Sequence, residues 1–130
     1  MTIIEMRHGL PFVSVTLTAN GQSLTLNHIL LDTGSAATVF RTDDLKPLGI
    51  SPQPSDRVHL MLGVGDGTEA VIERSIQSLE LGTLQAGPFT IQMGLLNYQI
   101  EMNGIIGSDF LLKVGAILDF SNQRIHPLAK

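Results

Sequence analysis

Leu30-Leu31-Asp32-Thr33-Gly34-Ser35 is the stretch on which the reading turns. A carboxylate stands at the end of an apolar run, Ile29-Leu30-Leu31, and is followed by a small hydroxyl residue and a glycine. Burial beside Leu31 makes an ionised carboxylate costly unless it is hydrogen-bonded or shares a proton. Gly34 permits a tight turn whose backbone N–H can donate to that carboxylate. Thr33 is placed to brace the loop through its hydroxyl, and Ser35 to donate to a carboxylate oxygen. Asp, Thr and Gly are also ordinary turn formers, so the tripeptide gains its meaning from its surroundings.

Those surroundings are strand-like. From Leu10 to Leu17 the chain alternates, with Val13, Val15 and Leu17 on one side and Ser14 and Thr16 on the other. Asn20-Gly21 follows, a strong hairpin signal because both residues tolerate positive φ. Leu24 and Leu26 resume the alternation into Ile29-Leu30-Leu31, and Thr38-Val39-Phe40 reads as a further short strand. Asp43-Asp44-Leu45-Lys46 suits a brief helical turn ended by Pro47 and Gly49. Val58, Leu60 and Leu62 alternate into a glycine-rich tip, Gly63-Val64-Gly65-Asp66-Gly67. The span from Thr68 to Leu81 fits a helical and a strand spacing equally. Phe89, Ile91 and Met93 alternate cleanly. Phe110-Leu111-Leu112-Lys113-Val114 is the best helical segment, with Ser108 or Asp109 as its cap. Ile117 to Phe120 and Arg124 to His126, joined at Ser121-Asn122-Gln123, suit a closing hairpin. The expectation is an all-β chain with one short C-terminal helix.

Composition narrows the function. The chain has 130 residues, 43% hydrophobic, with 13 glycines, no cysteine and a formal net charge of −4. That length suits a single domain over residues 1–130. Absence of cysteine excludes a disulfide framework, a thiol nucleophile and thiolate metal sites. The mild acidity leaves no basic stripe for nucleic acid. No apolar stretch is long enough to span a bilayer, and no signal peptide is visible, so the expected location is the cytoplasm. His8, His28, His59 and His126 lack metal-ligand spacing, so no metal or other cofactor is expected. The glycine tip has Gly-x-Gly-x-Gly spacing, not the Gly-x-Gly-x-x-Gly of a dinucleotide turn.

Three motifs in order resemble the retropepsin-like aspartic proteases: Ile29 to Val39 as the catalytic loop and the strand after it, Val58 to Ile72 as the flap hairpin, and Ile105-Ile106-Gly107-Ser108-Asp109-Phe110-Leu111 as the apolar-apolar-Gly motif that opens a helix. Ile117 to Ile125 resembles the closing segment of a pepsin-type lobe. The likeness covers roughly residues 10 to 126. It implies a closed acid-protease barrel, one pepsin-like lobe with a flap. It also implies an endopeptidase in which Asp32 is catalytic, supported by Thr33, Gly34 and Ser35 and by Ile106, Gly107, Ser108 and Asp109. Leu62, Gly63, Val64, Gly65, Asp66 and Gly67 would then form the substrate-binding flap, with Leu62, Val64, Leu95 and Ile106 as candidate pocket linings.

The chain carries a single Asp-Thr-Gly. Aspartic proteolysis needs two carboxylates close enough to share a proton. The second must therefore come from another copy, which implies a homodimer with both Asp32 side chains on its two-fold axis and an extended peptide as substrate. A non-catalytic dimerisation or peptide-binding module is the other reading. Retroviral members carry an acid two residues after the catalytic glycine and an arginine directly after the second-motif glycine. Ala36 and Ser108 stand there instead, so no buried charge is orphaned. Pepsins carry a flap tyrosine, and none lies between Val58 and Ile72. In retroviral relatives both chain ends interleave in one small sheet. A hydroxyl from Ser35 to the Asp32 carboxylate would lower its pKa and shift the pH optimum to acid.

Overall fold

The computed structural model describes residues 2–62, 68–96 and 100–128. The glycine tip 63–67, expected as the flap's end, lies outside the described residues.

Asn20 and Gly21 take positive φ values of 53° and 73°. They form the two-residue turn between β3 (Leu10–Ala19) and β4 (Gln22–Leu31), the longest ladder in the molecule. It follows two short strands, β1 (Thr2–Ile3) and β2 (Glu5–Arg7), the second of which pairs with β3. After the Asp32 loop come β5 (Val39–Arg41) and a 3-10 helix, Thr42–Leu48, which buries Leu45 and Leu48 and ends at Gly49. The hairpin strands are β6 (Arg57–Leu62) and β7 (Thr68–Ile76), antiparallel with Leu62 opposite Thr68. The ambiguous span resolves into β7 and β8 (Ser78–Leu81), since β7 is held on both sides, by β6 and by β10 (Phe89–Gly94). Ladder pairing on two edges overrides the helical spacing of Ile72, Ile76 and Leu79. The remaining elements are β9 (Leu84–Ala86), β11 (Gly104–Ile106), α1 (Ser108–Val114), β12 (Ile117–Asp119) and β13 (Arg124–His126).

The all-β class is as expected, but the barrel is not closed. The large sheet runs β6-β7-β10-β5-β11-β4-β3-β8-β9, with β2 added on β3, and among the described residues its end strands β6 and β9 do not pair. Closure requires the two edges to meet. Here α1 packs beside β9, and its fully buried Phe110 meets Phe89 edge-on at a centroid distance of 5.7 Å. A separate three-stranded sheet, β1-β13-β12, gathers the two ends of the chain. No helix among the described residues is long and apolar enough to cross a membrane.

The middle of the large sheet explains the apolar runs. β11 lies between β4, to which it is parallel, and β5, to which it is antiparallel. Consecutive residues of these strands enter different clusters: Leu31, Phe40 and Ile106 join the main core, whereas Leu30, Val39 and Ile105 join a smaller cluster with Phe12, Val71, Leu96 and Met102. Strands covered on both faces read as continuous apolar runs rather than alternations. The small cluster lies on the face toward which the pleat turns the residue two after Leu30, which is Asp32.

The base of the β6-β7 hairpin is fixed by one ion pair. Arg74 Nη2 donates to both Asp56 carboxylate oxygens at 2.8 and 2.9 Å and to Ser51 O at 3.0 Å. Gln53 N–H donates to Asp56 Oδ2 at 2.6 Å. The Gln53 bond first, and Arg74 second, hold the Asp56 carboxyl below its ordinary range. A depressed carboxyl stabilises the fold above the unfolded value, and that contribution is lost as pH falls through the folded one. Wild type should therefore exceed Asp56→Asn in urea midpoint at neutral pH, and the gap should close on acidification below about pH 4. A gap that is constant between pH 7 and 3 would contradict this role.

Candidate active site

Asp32 is held from both sides of its peptide. Its N–H donates to Ile106 O at 3.0 Å, which carries the β4-β11 pairing one residue past Leu31. Its carbonyl accepts from Ser35 N–H at 3.0 Å, closing a tight turn. Gly34 N–H donates to Asp32 Oδ1 at 3.0 Å, as the loop chemistry implies. A Cβ at Gly34 would lie 3.2 Å from that same oxygen, tighter than side chains normally pack. The second carboxylate oxygen has no hydrogen-bond partner among the described residues. Asp32 is half-buried, with Thr33 and Gly34 exposed beside it. The loop therefore presents one anchored and one open carboxylate oxygen at the surface of the protomer.

Two supporting roles differ from expectation. Ser35 Oγ donates to Ala37 O at 2.8 Å, not to the Asp32 carboxylate. A hydroxyl has one proton to give, so this bond removes the basis for an acid shift caused by Ser35. Thr33 is exposed, and among the described residues no bond of its hydroxyl braces that loop.

The bracing falls to Thr38, which the sequence reading treated only as the start of a strand. Thr38 is fully buried. Its hydroxyl donates to Asp109 Oδ1 at 2.7 Å and accepts from Gly107 N–H at 3.1 Å, while its N–H donates to Asp109 Oδ2 at 3.1 Å. Asp109 Oδ1 also accepts from Phe110 N–H at 2.7 Å. Asp109 thus ties the strand after the loop to the helix. The N-cap of α1 is Gly107 rather than Ser108 or Asp109, with no side-chain cap bond. A polar residue inside Ala36-Ala37-Thr38-Val39-Phe40 was the available signal, since a buried hydroxyl needs partners.

Ser108 N–H and Oγ both donate to Ser35 O, at 2.8 and 3.2 Å. Where retroviral relatives place an arginine, this chain therefore ties the two motifs through a neutral hydroxyl. Gly107 approaches so closely that a Cβ would strike Ala37 O and come within 2.8 Å of Ser35 O. Glycine is required there for contact, not for its dihedral angles.

Of the candidate pocket linings, Ile106 is fully buried in the main core and faces away from Asp32. Its neighbour Ile105 occupies the Asp32 side, in a row with Leu30 and Val39. Leu95 is 72% exposed. Leu62 ends β6, and Gly63, Val64, Gly65, Asp66 and Gly67 fall outside the described residues. An open groove of about 550 Å³ runs beside the loop, lined by Ala36, Ala37, Glu73, Thr90, Gln92 and Lys113. The small side chains at 36 and 37 leave it unobstructed. Asp119 accepts from Asn122 N–H and Nδ2 at 3.1 and 2.8 Å and closes a turn. Among the described residues no three His, Cys, Asp or Glu side chains cluster as metal ligands.

Comparison with known proteins follows the same outline. The aspartyl protease family model matches residues 14–110. Among solved structures, a retropepsin-like aspartic protease from Rickettsia conorii superposes with a TM-score of 0.65 at 16% identity, covering 92% of this chain and 83% of its own. The retroviral protease-like domain of Ddi1 from Leishmania major gives 0.58 at 16% identity, covering 98% and 89%. EIAV protease complexed with the inhibitor HBY-793 gives 0.53 at 21% identity, covering 87% and 95%. At these identities the likeness is one of fold. No curated protein matches the sequence.

The Thr38 knot makes a direct prediction. Thr38→Val keeps the volume but leaves Gly107 N–H and the Asp109 carboxylate without their hydroxyl, at a cost of about 2–3 kcal/mol. Thr38→Ser should recover most of it. Urea denaturation measures both, and a Thr38→Val protein as stable as wild type would contradict the assignment.

Proposed function

Since the chain belongs to the aspartyl protease family, we propose that it is an aspartic endopeptidase, active as a homodimer in which each protomer of residues 1–130 supplies one Asp32. The observation that supports this most is the half-buried Asp32 carboxylate, anchored at one oxygen by Gly34 N–H and open at the other, on a loop tied to β11 and α1 by hydrogen bonds. One such group cannot serve as both base and acid. Two of them, brought together, titrate as a pair and keep one proton between them. The ionised member takes a proton from water as it attacks the scissile carbonyl, and the protonated member donates to that carbonyl oxygen. The proton then passes to the leaving amine.

An extended peptide suits the surroundings. The groove beside Ala36 and Ala37 leads away from the loop, and the β6-β7 hairpin, with Leu62 and the tip Gly63 to Gly67, acts as the cover that bonds the substrate backbone. Gly34, Ser35, Ile106, Gly107, Ser108 and Asp109 serve as support, by holding the loop.

Asp32→Asn tests the reading. It keeps an acceptor oxygen for Gly34 N–H but removes the ionisable group. Peptide cleavage, followed with a mixed peptide library between acidic and neutral pH, should fall by at least about a thousandfold, on the scale of losing general acid–base catalysis, while sedimentation still shows a dimer. Absence of cleavage by wild type, with dimerisation intact, would favour the non-catalytic module.

A further inference from the structure

The hairpin of β2 and β3 carries a cation onto the face of Asp32. His8 and Gly9 take positive φ values of 53° and 75° and form the two-residue turn between these strands. Such turns match the twist of the strands they join. In this ladder Glu5 lies opposite Phe12 and Arg7 opposite Leu10. On its other side β3 pairs with β4, where Phe12 lies opposite Leu30. Residues directly opposite share a face. Phe12 and Leu30 belong to the smaller apolar cluster, and Leu10 packs against it. Two residues past Leu30 stands Asp32, and two before Phe12 stands Leu10. Arg7, Leu10 and Asp32 therefore follow one another on one face, across β2, β3 and the end of β4. Two strand spacings separate Arg7 from Asp32, about 10 Å.

Most of the donors of Arg7 are uncommitted. Its side chain is 36% exposed, and among the described residues its ion pair is with Glu5, from Nε at 3.7 Å. That distance is too long for a hydrogen bond. Glu5 is 64% exposed, and a pair so open to water contributes little. The two Nη groups, the fork that meets a carboxylate bidentately, have no bond among the described residues. The face around them is open: a groove of about 410 Å³ runs past Glu5 and Phe12 to Ser14, Asn27 and His28.

We infer that Arg7 receives a carboxylate of the peptide substrate about three residues from the scissile bond, since extended chain covers about 10 Å in that length. Each copy supplies one Arg7, so the preference applies on either side of the cut. The inference rests on the proposed endopeptidase and gives it a substrate class, peptides with an acidic group near the cut. A separation of about 10 Å is also about one Debye length, which screens that acid from Asp32 itself.

Paired amidated peptides, differing only in Glu or Gln at the second, third or fourth residue from the cut, test this. Wild type should favour Glu at one of these places by about tenfold in kcat/KM, the scale of one charge-assisted hydrogen bond. Arg7→Gln should bring that ratio to about one, and Arg7→Glu should turn the preference toward Lys. Glu5→Gln, which removes the present partner of Arg7, should widen it. A peptide ending in a free carboxylate at the same place separates a chain terminus from a side chain as the source. Either one outpacing the amidated Gln peptide supports the assignment. A merely structural role would slow all peptides alike, and an equal Glu-to-Gln ratio in wild type and Arg7→Gln would overturn the proposal.

Binding is read separately, by fluorescence anisotropy of the same peptides on the Asp32→Asn protein. Suppose wild type cuts nothing, yet Asp32→Asn prefers the Glu peptide and loses that preference with Arg7→Gln. Arg7 then keeps its role and the protease reading falls. Cutting without preference does the reverse, and peptides neither cut nor bound remove both.

Discussion

Everything at the active-site end of this protein depends on where the hydroxyl of Thr38 is allowed to go. It is fully buried, so it must be paired, and its two partners come from the far side of the chain: the carboxylate of Asp109 and the N–H of Gly107. Those bonds hold the strand leaving the Asp32 loop against the strand entering α1. With β11 already wedged between β4 and β5, the loop from Asp32 to Ala37 has both ends fixed and little freedom between them. Gly107 completes the arrangement because no larger residue could approach Ala37 and Ser35 so closely. The consequence is a carboxylate whose backbone is set by pairing and whose Oδ1 is held by Gly34 N–H.

Much of this was legible in the amino-acid order, and the reasons are local. Asn20-Gly21 dictates its turn because both residues accept positive φ. Ile29-Leu30-Leu31 and Ile105-Ile106 are unbroken apolar runs because their strands are covered on both faces. Gly34 was assigned its bond to Asp32 from geometry available to any tight turn. What was not legible depends on long-range competition. Ser35 has two acceptors near it in sequence, and the folded loop gives its hydroxyl to Ala37 O. Thr38 looks like an ordinary β-former until burial demands partners for it, and Asp109 lies 71 residues away. The span from Thr68 to Leu81 fits two periodicities, and neighbours on both edges of β7 decided between them. Barrel closure likewise depends on whether β6 and β9, far apart in the chain, come to pair, which no spacing reveals.

The same contrast shapes the functional account. Relative to the pattern it resembles, the chain lacks the acid and the arginine that pair around the loop, and Ser108 ties the two motifs by hydrogen bonds to Ser35 O instead. Neutral bonds of this kind avoid the desolvation cost of a buried ion pair. They also leave Ala36 and Ala37 bare, which opens the groove beside the loop. The terminal sheet holds its own N-terminal strand in place through Ile4. The proposed chemistry needs a second copy, since a lone carboxylate has no second acid to work with.

The dependence of specific activity on dilution examines that requirement most directly. If the catalytic unit is built from two half-sites, cleavage per mole of chain must decline as protein is diluted through the dissociation constant, in step with the dimer fraction measured by sedimentation, and must recover on reconcentration. Activity per mole that stays constant while the protein becomes wholly monomeric would show that a single chain suffices and would contradict the account.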